Sequence, residues 1–589
     1  MRALSSRPAL MAVAVAAAVV LPHVVGSFTV TLLNYIGIYA LVALGLVLLT
    51  GIGGMTSFGQ AAFVGIAAYT TAYHTAVMGG SPWTGLVLAL ALTGLVAAVL
   101  GGVTLRLGGH FLPLSTIAWG ISIFFLFGNI EGLGRYNGIT GVPPIELGPL
   151  SFAGTVPMYY LIATFLGLAM LLCANLLDSR QGRAVRSLRG GAVMVESLGV
   201  NTFRLRVQVF VLAALLAALS GWLYAHMSRF VSPAPFDLRP SIEYLLMALV
   251  GGAGHVVGAV IGATLVTLLK NSLQDVLPLV SSNASQLEIV VFAVLFVLLL
   301  QHARGGLVPF VLKRLPRRTP PPPAEAPPLR RRALPARGTP ILRVEDAVKT
   351  FGGLTAVNHV SFDLFAGEIL GLIGPNGAGK STMFNLITGA LRPSGGRILL
   401  DGRDITRLPQ RAIARAGIAR TFQHVKLRPT MTLLDNVLLG TYLRTRAGLF
   451  KGALRLDRAE EAQARAEAMR QLSRVGLGDN PYELAGNLPL GKQRILEVAR
   501  ALASDPAIVV LDEPAAGLRR LEKDALAGLL RALRAEGVTI LLVEHDMQFV
   551  MGLVDRIVVM EFGSKLVEGM PVEVRVHPRV QEAYLGGVA

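Results

Sequence analysis

Cysteine is almost missing from this 589-residue chain. Cys173 stands alone inside an apolar run, so an intramolecular disulfide, a multi-cysteine metal cluster and CxxC redox chemistry are excluded. Its expected role is a small core filler. Charge is scarce as well: 15% of residues against 53% hydrophobic, too few to hold the whole chain in water yet enough for one soluble domain. Acids are the scarcer sign, 36 against 54 basic residues, for a net charge of +18. That excess could serve nucleic acid. Much of it, however, is arginine in short loops between apolar runs and in one stretch near residue 330, the pattern of an anionic cytoplasmic membrane face. No nucleic-acid partner is expected.

What is abundant is apolar sequence. Runs of about 20 residues, enough for a bilayer core, begin near residues 8, 29, 57, 83, 111, 155, 207, 241 and 286. The first follows Arg2 and Arg7 as a secretory signal would, but no A-x-A site follows, so a retained span is expected. Arginines fix the sides. Arg106, the cluster Arg180, Arg183, Arg186, Arg189, Arg204 and Arg206, and the Arg304 to Arg318 region are expected in the cytosol, with 129–154 outside. This requires an even number of crossings between the last two basic regions. The run from Ser241 to Lys270, interrupted by Gly251, Gly252 and Gly254, is therefore read as two short helices, giving about ten spans with both termini inside. Glycines used for close helix packing are the equally open alternative.

From Leu315 to Pro340 the composition turns to Pro, Arg and Ala, which predicts a semi-extended, solvated basic tether. After Ile341, strand-like and helix-like runs alternate with glycine turns, the pattern of an α/β domain with a largely parallel sheet. The expected organisation is an all-α polytopic membrane domain at 1–312, a linker at 313–340 and an α/β P-loop domain at 341–589.

The chemistry lies in that last part. The strand-like run Glu368 to Ile373 leads into Gly374, Pro375, Asn376, Gly377, Ala378, Gly379, Lys380, Ser381 and Thr382, then a helical stretch: the P-loop pattern in the setting it requires. Its glycines let backbone N–H groups wrap phosphates, Lys380 reaches the β and γ oxygens of ATP, and Ser381 can ligate Mg2+. The apolar run Ile508 to Leu511 ends in Asp512-Glu513-Pro514, suiting Asp512 to Mg2+ and Glu513 to the attacking water. A second such run, Thr539 to Val543, ends at Glu544-His545-Asp546, where His545 could meet the γ-phosphate.

Together with Gln423 in Ala419-Arg-Thr-Phe-Gln, these motifs resemble the ABC ATPase set in its usual order. The resemblance implies that Gln423 touches Mg2+ and senses the permease, that Phe351 stacks on adenine, and that His545 completes the γ-phosphate contacts. Phe351-Gly-Gly-Leu-Thr-Ala-Val, Asn385-Leu-Ile-Thr-Gly, Ala485-Gly-Asn-Leu-Pro and Ala515-Ala-Gly-Leu are more closely similar to the ATPase subunits of branched-chain amino acid importers. The sequence departs from the ABC pattern twice. The signature segment reads Leu488-Pro489-Leu490-Gly491-Lys492, without the usual serine but with the Gly491 backbone donor. Arg519 stands where many such ATPases carry aspartate. Hydrolysis is still expected, because Glu513 remains.

The N-terminal part resembles the permeases of the same importers, in Leu46 to Gly51, Ser57 to Tyr69, Asn137 to Gly141, Tyr224-Ala-His226 and Val250-Gly-Gly252. Gly182 to Asn201 looks like the coupling helix that docks a permease on its ATPase. The resemblance implies ATP-driven uptake of leucine, isoleucine and valine through the cytoplasmic (inner) membrane. It also implies a second permease and ATPase, identical or related, and an extracytoplasmic solute-binding protein. Urea or amides remain competing solutes, and an exporter or a non-transporting membrane ATPase the other classes. Asn34, Gln60, His74, Glu243 and His255 are the intramembrane polar residues that could line a path.

Overall fold

The computed structural model describes residues 6–106, 111–280, 284–302, 305–312, 314 and 326–585. Two compact units divide the chain: Met1–Leu176 with Phe203–Arg317, and Leu177–Thr202 with Arg318–Ala589.

In the first unit the apolar runs become helices α1 (Ser6–Val24), α2 (Ser27–Leu46), α3 (Gln60–Ala72), α4 (Pro82–Thr104), α5 (Phe111–Asn129) and α6 (Thr155–Leu177). After the short helices α7 (Arg180–Ser187) and α8 (Ala192–Ser197) of the other unit, it resumes with α9 (Thr202–Ser228), α10 (Leu238–Gly252), α11 (Val256–Val280), α12 (Ala284–His302) and α13 (Leu307–Leu312). Among the described residues, six helices are long and apolar enough to cross a membrane. Between α5 and α6, strand β1 (Ile139–Thr140) pairs with β4 (Phe230–Val231), and β2 (Glu146–Leu147) forms a hairpin with β3 (Leu150–Ser151).

Two helices are interrupted. Beyond α2 the chain runs through a π-helical turn, Val47–Ile52, and an irregular stretch before α3 starts at Gln60, so the span expected from residue 57 begins with a break. The run from Ser241 divides at 253–255 as expected, but α11 is 25 residues long rather than short. Both roles foreseen for the glycines hold here. Gly252 takes a φ of +123° where α10 ends, while a methyl group on Gly251 would stand 1.7 Å from the carbonyl oxygen of Gly258.

In the second unit, β5 (Pro340–Phe351), β6 (Leu354–Phe365), β8 (Gly395–Leu400) and β9 (Arg403–Asp404) form an antiparallel sheet ordered β6-β5-β8-β9. With β7 (Ile369–Ile373) in place between them in sequence, the remaining strands are β10 (Ile418–Arg420), β11 (Ile508–Asp512), β12 (Thr539–Val543), β13 (Arg556–Glu561) and β14 (Ser564–Gly569). They build a six-stranded sheet, β10-β11-β12-β7-β13-β14, parallel except for the β13–β14 hairpin. Strands β7, β11 and β12 are buried along their whole length, which is why they read as unbroken apolar runs. One apolar core, with Leu342, Phe362, Leu370 and Phe384, joins the two sheets, and another, with Leu511, Leu526, Leu542 and Ile557, covers the opposite face.

Besides α7 and α8, the helices of this unit are α14 (Lys380–Ile387), α15 (Gln410–Ala416), α16 (Leu433–Leu438), α17 (Leu449–Ala453), α18 (Arg458–Arg474), α19 (Leu490–Ala503), α20 (Arg520–Ala535), α21 (Met547–Met551), α22 (Pro571–Val576) and α23 (Pro578–Leu585). A helical lobe packs α16, α18 and α19 around Leu434, Leu438, Ala468 and Leu496.

The tether expectation is corrected for 326–340, which lies on this unit. Residues 315–325 lie outside the described residues. Arg332 donates to the carbonyls of Ala416 (2.7 Å) and Arg415 (2.9 Å) at the end of α15, and Arg337 to that of Arg534 (2.6 Å) in the last turn of α20. The buried Leu329 offers its carbonyl to Arg444 at 3.1 Å. The reason is local: helix C-termini present unpaired carbonyls and a partial negative charge, and guanidinium groups satisfy both.

Candidate active site

The parallel order sets β11, β12 and β7 side by side, so the loops leaving these strands gather at one edge of the sheet. After β7 comes the Gly374–Gly379 loop, which closes only with glycine at two points. A methyl group on Gly374 would lie 2.1 Å from the Met560 carbonyl oxygen, and one on Gly379 2.2 Å from that of Ala356; their φ angles are +153° and +95°. The loop delivers Lys380 as the first residue of α14. Its Nζ donates to the carbonyls of Gly374 (2.8 Å) and Pro375 (2.9 Å). Burial lowers the lysine pKa, opposed by the carboxylates of Glu513 and Asp512. Ser381 and Thr382 come next, in the first turn of α14.

At the end of β11, burial pushes the Asp512 carboxyl up to about 6, with Arg420 pulling it down and Glu513 adding to the rise. Its Oδ1 is buried without a hydrogen-bond partner. Glu513 adopts a left-handed φ of +45°, rare for a non-glycine residue, while its N–H stays bonded to Val543 at 2.8 Å. The next residue thus leaves the strand line and the carboxylate is turned to the edge. Gln423 Nε2 donates to Glu513 Oε2 at 3.2 Å, and His545 Nδ1 stands 3.8 Å from Glu513 Oε1. Lys380, Asp512, Glu513, Gln423 and His545 therefore converge. The orphaned buried carboxylate oxygen of Asp512, together with the Ser381 hydroxyl and the Gln423 amide, supplies oxygen donors of the kind that suit a hard divalent cation such as Mg2+.

The other expected residues make their contacts elsewhere. Phe351 is half-exposed at the end of β5, with the Lys349 ammonium 5.0 Å from its ring centroid. Leu488 is buried and accepts from Gln493 at 2.7 Å. A methyl group on Gly491 would sit 2.3 Å from Glu522 Oε1, and Glu522 Oε2 accepts the Arg519 N–H at 2.9 Å. One carboxylate thus lies between the signature segment and Arg519, which no local pattern announced.

Sequence reasoning also missed two supports. Glu544 is fully buried and accepts from the N–H groups of Ala515 (2.7 Å) and His545 (3.1 Å), bracing the segment after Glu513 and the histidine together. Arg420 donates to Thr388 (2.8 Å) and Asn385 (3.2 Å) between the rings of Phe384 and Phe422, which fixes the strand leading to Gln423. The signal for Glu544 was a carboxylate directly after an all-apolar strand.

The segment 177–202 folds on the helical lobe. Arg183, 3% exposed, makes two hydrogen bonds to Glu461, Nη2 to Oε1 at 2.7 Å and Nη1 to Oε2 at 2.9 Å. Arg180 stacks 3.6 Å from the ring centroid of Tyr442 and donates to the Tyr442 and Ala447 carbonyls. At Gly190 a methyl group would lie 3.4 Å from Arg428 Cδ. The segment around Arg428 is held in turn: Arg428 N–H donates to Asn436, Lys426 N–H to Glu497 and Arg500 to the Lys426 carbonyl.

In the first unit, Asn34 donates to Thr155 (3.1 Å), His74 bonds Thr84 (2.8 Å) and Glu243 pairs with Lys270 (2.7 Å), while His255 immediately precedes α11. Gln60 is 1% exposed, and both atoms of its amide are buried without a hydrogen-bond partner.

A family model described as the permease component of a branched-chain amino acid transport system matches residues 28–300, and one described as ABC transporter matches residues 357–516. The high-affinity branched-chain amino acid transport ATP-binding protein LivG of Escherichia coli is 46% identical over 250 residues, 42% of this chain and 98% of that protein. BraF of Pseudomonas aeruginosa, of the same description, is 46% identical over 252 residues, with the same shares covered. A solved ATP-binding cassette of an ABC transporter in its ADP conformation aligns with a TM-score of 0.38 and 32% identity, covering 42% of this chain and all of that one.

Proposed function

The chain belongs to the ABC transporters of the branched-chain amino acid transport family, with permease and ATPase components in one polypeptide, and from that premise we propose that it couples ATP hydrolysis to uptake of leucine, isoleucine and valine. The observation that carries the reading is the run of contacts from 177–202 to the nucleotide site. Gly190 abuts Arg428, Arg428 lies five residues along the chain from Gln423, and Gln423 bonds Glu513. A displacement of that segment shifts the residue that touches the catalytic carboxylate, and the reverse holds equally.

In this mechanism the P-loop N–H groups and Lys380 hold the phosphates of ATP. Glu513 accepts a hydrogen bond from the attacking water and orients it at the γ-phosphorus, and His545 steadies the γ-phosphoryl oxygens. Phosphate leaves with the water oxygen, and ADP keeps the bridging oxygen. Ser381, Gln423 and Asp512 are the residues to hold Mg2+, whose charge would offset that of the phosphates. Leu488 and Gly491 face the ATP of a second ATPase domain, supplied by another copy or a related subunit, and Phe351 stacks on adenine. A solute-binding protein outside the cytoplasmic membrane delivers the solute, and the ATPase works in the cytosol.

Uptake of labelled leucine and labelled urea into inside-loaded proteoliposomes, with and without candidate binding proteins, tests the assignment. ATP-dependent leucine accumulation is expected. ATP consumption with neither solute accumulating would remove the importer reading.

A further inference from the structure

The segment 446–458 carries an amphipathic patch that the transport cycle does not use. Helix α17 is short, and Phe450 and Leu454, one helical turn apart, share a face. They are 87% and 57% exposed, and Leu456 just beyond is 70% exposed. Large apolar groups this open are normally scattered singly on a soluble surface; here three fall within seven residues. The backbone keeps them out. Arg455 takes a left-handed φ of +53°, and the Leu456 N–H returns to the Lys451 carbonyl at 2.9 Å, a helix stop that turns Leu456 to the surface.

The charges around the patch have one sign. Arg446, Lys451, Arg455 and Arg458 are exposed, and among the described residues none of them pairs with a carboxylate. The acids of the stretch are occupied otherwise: Asp457 is buried, and Glu460 accepts the backbone N–H groups of Arg446 and Ala447.

Its location follows from the chain itself. Gly452, the next-to-last residue of α17, packs on Ser179, where a methyl group would lie 2.6 Å from the Ser179 hydroxyl. Ser179 is two residues beyond Leu177, the last residue of the apolar helix α6, and two residues reach about 7 Å at most. Phe450 and Leu454 flank Gly452 by about 3 Å each along the helix. The headgroup layer on one side of a bilayer is about 5–8 Å deep.

We propose that Phe450, Leu454 and Leu456 insert into the cytoplasmic headgroup layer while Arg446, Lys451, Arg455 and Arg458 meet anionic lipid, making the segment an interfacial anchor of the ATPase. It rests on α6 being a membrane span. Anionic lipid answers both features of the patch, whereas a protein partner would have to supply a matching acidic and apolar face.

The test uses the full chain with Cys173→Ala as background and a spin label at Leu454→Cys, in nanodiscs of phosphatidylglycerol with phosphatidylethanolamine or of phosphatidylcholine alone. Leu95→Cys, on the exposed face of α4, is the lipid reference and Phe562→Cys, on the β13–β14 turn, the water reference. In anionic discs the label at 454 is expected to show the oxygen-over-nickel accessibility of the lipid reference. It should move to the water reference in phosphatidylcholine and in the triple variant Lys451→Gln, Arg455→Gln, Arg458→Gln. Water-like accessibility in anionic discs, equal depth in both lipids, or exclusion of both reagents as at a protein interface would each overturn the proposal. A chain that does not enter nanodiscs at all would overturn the reading of α6 as well, which separates the two failures.

Discussion

A methyl group on Gly262 of α11 would stand 1.8 Å from the Met247 carbonyl oxygen, and one on Gly51 1.7 Å from that of Ala253; one on Gly377, in the ATPase unit, would meet nothing within 4 Å. Gly377 is set instead by its φ of +84°. At Gly262 and Gly51 glycine is an absence of side chain that lets helix backbones touch, and at Gly377 it is a freedom of backbone that lets a loop turn. The difference comes from the solvent. Lipid gives helices no hydrophobic reason to associate, so they gain by close approach, whereas the ATPase buries branched aliphatic strands and needs glycine where its loops reverse.

If that contrast is right, damage at a strand end costs chemistry and spares the fold. Glu513→Gln should lower ATP hydrolysis by about 10²–10⁴-fold with nucleotide binding kept, measured as phosphate release beside nucleotide affinity. Undiminished release would free Glu513 from its assigned role.

The next effect sits between chemistry and fold. Arg183→Ala removes both hydrogen bonds from the Glu461 carboxylate, only 14% exposed, leaving it the Arg465 guanidinium at 4.0 Å, and should destabilise the ATPase unit by about 1.5–3 kcal/mol in thermal unfolding. Uptake per ATP hydrolysed should drop at temperatures where that unit still binds nucleotide. A shift in unfolding with an unchanged ratio would make the contact structural only.

Smaller effects set one substitution against itself. Gly262→Ala should cost the membrane unit about 1–3 kcal/mol, since α10 and α11 must separate. Gly528→Ala, on the exposed face of α20 with nothing within 4 Å, should stabilise the ATPase by about 0.5–1 kcal/mol through helix propensity. Unfolding midpoints moving in the same direction would break the contrast between the units.

The P-loop, Asp512-Glu513 and His545 were readable in the sequence because phosphate chemistry fixes residue type and spacing within a few positions. The helices were readable because bilayer thickness fixes length. What escaped depends on partners far along the chain. Arg183 announces a basic loop, but Glu461 lies 278 residues away. Arg332 reads as part of a solvated tether because the carbonyls it meets belong to Arg415 and Ala416, which composition cannot place. Gln60 reads as the interior of a span, since the irregular stretch before it carries no proline, and its three glycines, Gly53, Gly54 and Gly59, look like packing residues.

The polypeptide passes from one unit to the other three times, after Leu176, Thr202 and Arg317. Severing the gene at the proline-rich stretch would therefore leave 177–202 with the other fragment. The trimmed fragment would lose the Arg183–Glu461 pair and lay bare the surfaces that now bury Ala184, Val185 and Met194.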